Sequence, residues 1–409
     1  MTFGIADISP YVGVASLDVA TLFAARGLDQ ARIANLMMTR KSVNLPVEDP
    51  VTNGVNAARP LIDRLGTDSV GRIEAVVVGT ESGLDYGKPI STYIQHHLEL
   101  PRRCRSFEVK HACYGGTAAL RTAEGLLQNM PQGSLVLVVA TDAASAAARN
   151  TYWEPSQGAG SVAMLVGFEA PVLALDRGAY GVFSREVMDT LRPRPNVEAG
   201  DTDLSLVSYL QALEETWQDY AARVTGADLQ ASFDRVILHT PFAGMVKGAL
   251  RQLLTRRGAL DLDAFEMFFT SRTEPSLAYC SEVGNAYSAA LYLALCSMID
   301  RSPPENVQRY ALFSYGSGCS AEFYSGLVQP EARDVVGRND VPVRIAARHP
   351  LTMDEYETVS DLAVQRMAGV ANQSFDTGDY DHILASVPRD RPMLVLEGIR
   401  NYHRAYRWL

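Results

Sequence analysis

VKHACYGGTAALRTAEGLL, residues 109–127, decides how the rest of the chain is read. An extended segment ends at Lys110, and a run rich in Ala and Gly past the cysteine predicts a helix over 115–128. Strand, turn and helix in that order form the building unit of an α/β protein, here with Cys113 at the joint. A sulfur at a helix N-terminus faces unpaired N–H groups and the positive end of the helix dipole, an arrangement that favours the thiolate. Gly115 and Gly116 leave room for a substrate or another backbone to approach. Taken alone, the same pattern describes a buried, inert thiol beside a tight turn.

Outward from this unit, short apolar runs predict core strands at 73–79, 134–141, 161–168, 235–240, 311–316 and 322–328. Helices are expected at 115–128, 204–223, 243–257, 285–299 and 353–369. The alternation indicates α/β with buried strands. Two stretches echo one another, each with a strand that ends in a polar motif: GTES at 79–82 and HTPF at 239–242. The echo implies two similar halves, 1–170 and 171–409. The aromatic, basic stretch NYHRAYRWL (401–409) reads as a packed surface element rather than a binding one.

The 409 residues include 47% hydrophobic and 21% charged ones and carry a net charge of −10. That balance fits a globular protein and argues against general nucleic-acid binding, which requires a basic surface. No apolar run approaches the roughly 20 residues that span a bilayer. MTFGIADISPYVG lacks the basic start and apolar stretch of a signal peptide, so a cytoplasmic protein is expected. Five widely spaced cysteines without a C-x-x-C pair leave no basis for a disulfide framework or a zinc site.

Four motifs give Cys113 company. Glu81 follows the strand 73–79, and a carboxylate shielded from water there suits a general acid or base. An exposed loop glutamate is the bland alternative. His239 ends RVILHTPF near a sheet edge, with Lys247 eight residues on, where a cation could meet a phosphate. Asn285, in SEVGNAYSAALYLAL, is placed either to cap a helix or to bind substrate. Gly316-Ser317-Gly318 after ALFSY can offer backbone donors to a thioester oxygen; such a donor is typically worth about 2.7–4 kcal/mol in the transition state.

Together these segments resemble the 3-hydroxy-3-methylglutaryl-CoA synthase family within the thiolase-fold condensing enzymes. GTES, HACYGG (111–116), HTPF, PSLAYCSEVGNAYSAALYLAL (275–295) and SYGSG (314–318) stand in the family's order. HTPFAGMVKGA, TYWEPSQGAG (151–160), YCSEVGNAYS and LEGIRNYHRAY (396–406) are similar to the synthase homologues of polyketide β-branching cassettes.

The resemblance implies a thiolase-like fold of two similar α/β halves, with buried mixed sheets in an α-β-α-β-α layering, and a homodimer. It implies an acyltransferase that condenses a Cys113-bound acetyl or similar acyl group with a β-ketoacyl chain. Donor and acceptor acyl carrier proteins are the expected partners. No permanent cofactor and no metal is expected; a phosphopantetheine thioester is the substrate. The implied roles are Cys113 as acylated nucleophile, Glu81 as acid/base and His239 as the group polarising the acceptor carbonyl. Asn285 and Ser317 would bind thioester oxygens and Lys247 a phosphate, with Ser156, Tyr209, Asp142 and Asp189 near the pocket. Arg102, Arg103, Arg105 and Lys110, with Arg192 and Arg194 in a loop, are the local positive charge available for an acidic carrier protein.

Two departures stand out. Ala148 occupies the place of the metabolic enzymes' pocket tyrosine, with Tyr152 four residues later, and the aromatic D-F-Y/W-[KR]-P pattern has become Asp189-Thr190-Leu191-Arg192-Pro193. The alternatives are a metabolic synthase acting on acetyl-CoA and acetoacetyl-CoA, or a silent carrier-binding scaffold. A decarboxylating ketosynthase would not need Glu81.

Overall fold

The computed structural model describes residues 3–144, 146–256, 260–387 and 391–409. Met1 and Thr2, at the head of the stretch read for a leader, lie outside the described residues, as does Arg257 at the end of the helix expected over 243–257.

Nine strands form one mixed sheet. In chain order they are β1 (Gly4–Tyr11), β2 (Ile73–Gly79), β3 (Arg105–Val109), β4 (Leu135–Asp142) and β5 (Gly160–Gly167). Then come β6 (Leu173–Ser184), β7 (Arg235–Leu238), β8 (Gln308–Gly316) and β9 (Ser320–Val328). Their spatial order is β7-β8-β9-β6-β1-β5-β4-β2-β3. The pairs β2–β3, β2–β4 and β7–β8 are parallel. Two sets of strands meet where Gly4 and Ile5 of β1 pair with Ala174 and Leu173 of β6.

The helices that cover the sheet include α1 (Pro50–Leu65), α2 (Ile90–His97), α3 (Gly115–Leu127), α4 (Thr202–Arg223), α5 (Ala243–Arg256) and α6 (Ala290–Arg301). Strands β2, β4 and β5 read as continuous apolar runs because both faces are covered. Val76 and Val78 of β2 pack with Val55 of α1 and Ile94 of α2, while Ala75 and Val77 face the core of Leu120 on α3 and Leu293 on α6. In β8, Leu312 joins that same central core, whereas Ala311 and Phe313 pack with Trp217 of α4 and Leu250 of α5. The result is an α-β-α-β-α layering with α3 and α6 in the middle.

Helix α1 starts where Asp49 caps the backbone of Thr52 and Thr52 answers in a capping box, with Pro50 in the first turn. The helix expected over 285–299 opens later, at Ala290, after a 3-10 turn at Tyr287–Ala289. Gly284 at φ 84° and Tyr287 at φ 52° hold left-handed conformations that a helix cannot include. Asn285 therefore caps no α-helix; its Oδ1 accepts the Tyr287 N–H at 2.9 Å. The helix expected over 353–369 spans Met353–Ala363, with a 3-10 turn through Arg366.

The stretch 401–409 is a packed strand, His403–Trp408, paired with Leu394–Arg400. It brings the chain back to α1: Leu394 exchanges hydrogen bonds with Asn56 at 2.8 and 3.1 Å, and Arg404 pairs with Asp49 at 2.8 Å. Among the described residues no helix is long and apolar enough to cross a membrane.

Candidate active site

Cys113 sits in the turn between β3 and α3. The preceding Ala112 is held at φ 40°, a strained conformation for a residue with a Cβ, and its carbonyl accepts the Gly115 N–H at 3.1 Å. Glycine is required beside this turn by contact. A Cβ on Gly79 would lie 2.3 Å from the Gly115 oxygen, and one on Gly116 would lie 2.3 Å from the Ser288 oxygen. The thiol reaches Glu81 at the end of β2, with Sγ 3.4 Å from Oε2.

The thiolate expected from the helix terminus is not favoured here. Burial pushes the Cys113 thiol well above its ordinary range, and the charges of Glu81 and Asp142 push it further. A helix terminus contributes only about 0.3–1 kcal/mol, less than one pKa unit of 1.36 kcal/mol. Cys113 is thus a neutral thiol that donates its proton toward Glu81.

Burial raises the Glu81 carboxyl to about 7, with Asp142 adding to the shift and Arg192 opposing it. The Arg192 guanidinium lies 3.1 Å from Glu81 Oε1 and 3.3 Å from Glu198 Oε2. It comes from a hairpin, Thr190–Arg194 paired with Val197–Gly200. Asp142, fully buried at the end of β4, fixes the loop that carries Glu81. Its Oδ1 accepts Thr80 Oγ1 at 2.9 Å and the N–H groups of Glu81 and Ser82 at 2.8 and 3.0 Å. Its Oδ2 accepts the Ser288 N–H at 3.0 Å, so one carboxylate ties the Glu81 loop to the segment leading into α6.

His239 follows β7, and burial lowers its imidazole to about 3, so the ring is neutral near pH 7. Tyr209 of α4 donates its hydroxyl to the His239 carbonyl at 2.7 Å, with its ring edge-on to Phe313 and Tyr315. Asn285 and Ser156 are buried together, the Asn285 N–H donating to the Ser156 carbonyl at 2.8 Å. Ser317 lies in the turn between β8 and β9. Asp189 secures that turn, accepting the Gly318 N–H at 2.9 Å and the Tyr315 hydroxyl at 2.6 Å. Gly316 packs so closely on the cysteine turn that a Cβ would lie 2.6 Å from the Tyr114 nitrogen.

Glu81, Cys113, Ser156, Tyr209, His239, Asn285 and Ser317 all line one cavity of about 760 Å³. The carboxyl ends of β2, β3, β7 and β8 surround it, where sites gather in α/β sheets. Lys247 is not among its lining residues; its ammonium pairs with Glu266 at 2.8 Å on the neighbouring helix Leu262–Arg272. Arg102, Arg103 and Arg105 are also absent from the wall. They stand at the amino end of β3, the far end from the Lys110 and His111 that line the cavity. Five residues at about 3.3 Å each separate the two ends. Tyr152 does line the cavity, largely exposed and with Arg32 over its ring, whereas the buried Ala148 does not.

The roles of Arg192 and Glu198 at the carboxylate were not anticipated, nor were those of His111, Trp153, Gln157 and Tyr287 in the wall. Arg192 carried a signal, its place in DTLRP; Glu198 carried none.

Known proteins resemble the chain over its whole length. Models for the hydroxymethylglutaryl-coenzyme A synthase N terminal and C terminal match residues 2–171 and 256–383. The Bacillus subtilis polyketide biosynthesis 3-hydroxy-3-methylglutaryl-ACP synthase PksG is 44% identical over 99% of both chains. The Enterococcus faecalis hydroxymethylglutaryl-CoA synthase is 32% identical over 88% of this chain and 91% of its own. The HMG synthase of the curacin biosynthetic pathway, solved in complex with acetyl donor-ACP, superposes with a TM-score of 0.96 at 42% identity over the whole of both chains. The chain belongs to the hydroxymethylglutaryl-CoA synthase family, condensing enzymes of the thiolase fold.

Proposed function

We propose that the protein is the condensing enzyme of a polyketide β-branching system. It transfers an acetyl group from a donor acyl carrier protein to Cys113 and adds its carbanion to the β-carbonyl of a chain on an acceptor carrier protein. The observation that carries this reading is the 3.4 Å approach of Glu81 Oε2 to Cys113 Sγ in one cavity that also holds a neutral imidazole and an amide. The full-length similarity to a carrier-dependent synthase, at 44% identity against 32% for a CoA-dependent one, favours carrier-bound thioesters.

In the first step the Cys113 sulfur forms a thioester and the donor's phosphopantetheine thiol leaves with the proton. Glu81 then takes a proton from the acetyl α-carbon, and the enolate oxygen is held by backbone N–H groups near Cys113 and Ser317. The carbanion attacks the acceptor's β-carbonyl. His239 polarises that carbonyl as a neutral hydrogen-bond donor, consistent with its depressed pKa. The alkoxide takes up a proton to give a tertiary alcohol, and water hydrolyses the Cys113 thioester to the new carboxylate. Asn285 is assigned to a thioester oxygen. Tyr209, Ser156, Asp142 and Asp189 position these groups. The halves 1–170 and 171–409, a homodimer and a cytoplasmic location complete the reading.

Glu81→Ala separates the steps. It removes a carboxylate that raises the Cys113 thiol, so acetylation of Cys113 persists. Loss of a general base typically costs 10²–10⁴-fold, so condensation falls by about that factor. Intact-mass analysis after incubation with acetyl carrier protein follows the first step and product formation the second. Equal loss of both overturns the assignment of Glu81.

A further inference from the structure

We infer that His349, Glu355 and His382 form a site for a divalent transition-metal ion, best suited to zinc, away from the catalytic cavity. Three separate segments supply them. His349 lies in a two-residue strand, His349–Pro350, that pairs with Ala15 and Ser16. Glu355 stands in the first turn of the helix Met353–Ala363, and His382 in the short helix Asp381–Leu384. None of them lines the cavity that holds Cys113.

Glu355 divides its carboxylate between two tasks. Oε2 accepts the Thr352 N–H at 2.7 Å and the Thr352 hydroxyl at 2.9 Å, closing a capping box. Oε1 is left facing two imidazoles, with His349 Nε2 and His382 Nε2 each 3.6 Å away. One donor atom from each residue lies within 4.8 Å of the others, and the two rings stand edge to face with centroids 5.5 Å apart.

The spacing admits an ion between groups that, as they stand, pair over 3.6 Å. At 3.6 Å the imidazole nitrogens stand outside the usual hydrogen-bond range of the oxygen. Tetrahedral bonds of about 2.0–2.1 Å to zinc set neighbouring ligand atoms roughly 3.3–3.4 Å apart. Closure therefore needs a contraction of a few tenths of an ångström at the carboxylate, and His382, with 58% of its side chain exposed, is free to supply it. Two imidazoles and a carboxylate form a donor set that zinc accepts with water in the fourth position. Bound there, the ion would fasten residues 381–384 to the helix 353–363, whose Tyr356 and Val359 already share an apolar cluster with Ile383. The cysteine count gave no hint of such a site because its ligands are imidazoles and a carboxylate, without a short repeated spacing.

The test is calorimetric titration of the tag-free full chain with Zn²⁺, after alkylation of Cys113 to silence the active-site thiol. One equivalent binds wild type, and His349→Ala, His382→Ala and Glu355→Gln each weaken binding at least about tenfold. Zinc at about 100 times its wild-type Kd raises the melting temperature of wild type by about 3 °C and that of His382→Ala by no more than about half as much. Circular dichroism verifies that each variant is folded, and His382→Ala keeps full condensing activity without zinc. Absence of binding at about 100 µM, or binding undiminished in all three folded variants, overturns the site.

Discussion

Arg192 and Asp142 act on the Glu81 carboxyl with opposite signs. Burial lifts its pKa to about 7, Asp142 raises it and Arg192 lowers it. A base must be ionised to work, so condensation by pre-acetylated enzyme is expected to rise with pH and reach half its plateau near pH 7. Arg192→Ala removes the lowering influence, and the rising limb moves to higher pH; Arg192→Lys restores part of the shift. A single-turnover pH profile checks this, and an unmoved limb in Arg192→Ala would contradict the coupling. Cys113, Glu81 and His239 were legible as candidates in the sequence because each follows a strand in a motif with its own chemistry. Arg192 was read only as surface charge, since its value depends on a hairpin folding over a residue 111 positions away. Lys247 misled for a related reason: eight residues past His239 says which helix it is on, not that Glu266 holds it.

The strands were the most readable elements. Covered on both faces, β2, β4 and β5 are apolar runs whose alternate residues, such as Val76 and Val77, serve different cores, whereas β1 and β6 are interrupted by Asp7 and by Asp176 and Arg177 and gave no such signal. The start of α6 was not readable, because a left-handed Tyr287 is a tertiary outcome with no propensity behind it. The junction of α3 with the segment before α6 depends on Gly116. Its replacement by Ala puts a methyl 2.3 Å from the Ser288 oxygen and 3.1 Å from the Ala140 Cβ. Overpacking of this kind costs about 1–3 kcal/mol. Urea unfolding of Gly116→Ala should show a lower midpoint with an unchanged slope. Because Ser288 also donates to Asp142, condensation should slow in the same variant. Wild-type stability would show that the backbone yields at no cost.

At the scale of the molecule, Arg102, Arg103 and Arg105 stand at the far end of β3 from the cavity, although Lys110 of the same cluster lines it. Charge reversal at Arg102 and Arg103 is accordingly expected to leave the KM for carrier-bound acetyl unchanged within about twofold, since exposed charges beyond a Debye length of roughly 8 Å are screened. A rise of tenfold would place a docking surface there after all. The return of residues 394–408 to α1 was not legible, because nothing in that stretch names its partner.

That return has a consequence for how the protein is made. Asp49 and Asn56 wait for Arg404 and Leu394, groups synthesised 355 and 338 residues later. Domains usually settle as they leave the ribosome. Here α1 stays unfinished until residues 394–404 have been translated, and chaperone demand should fall on that interval.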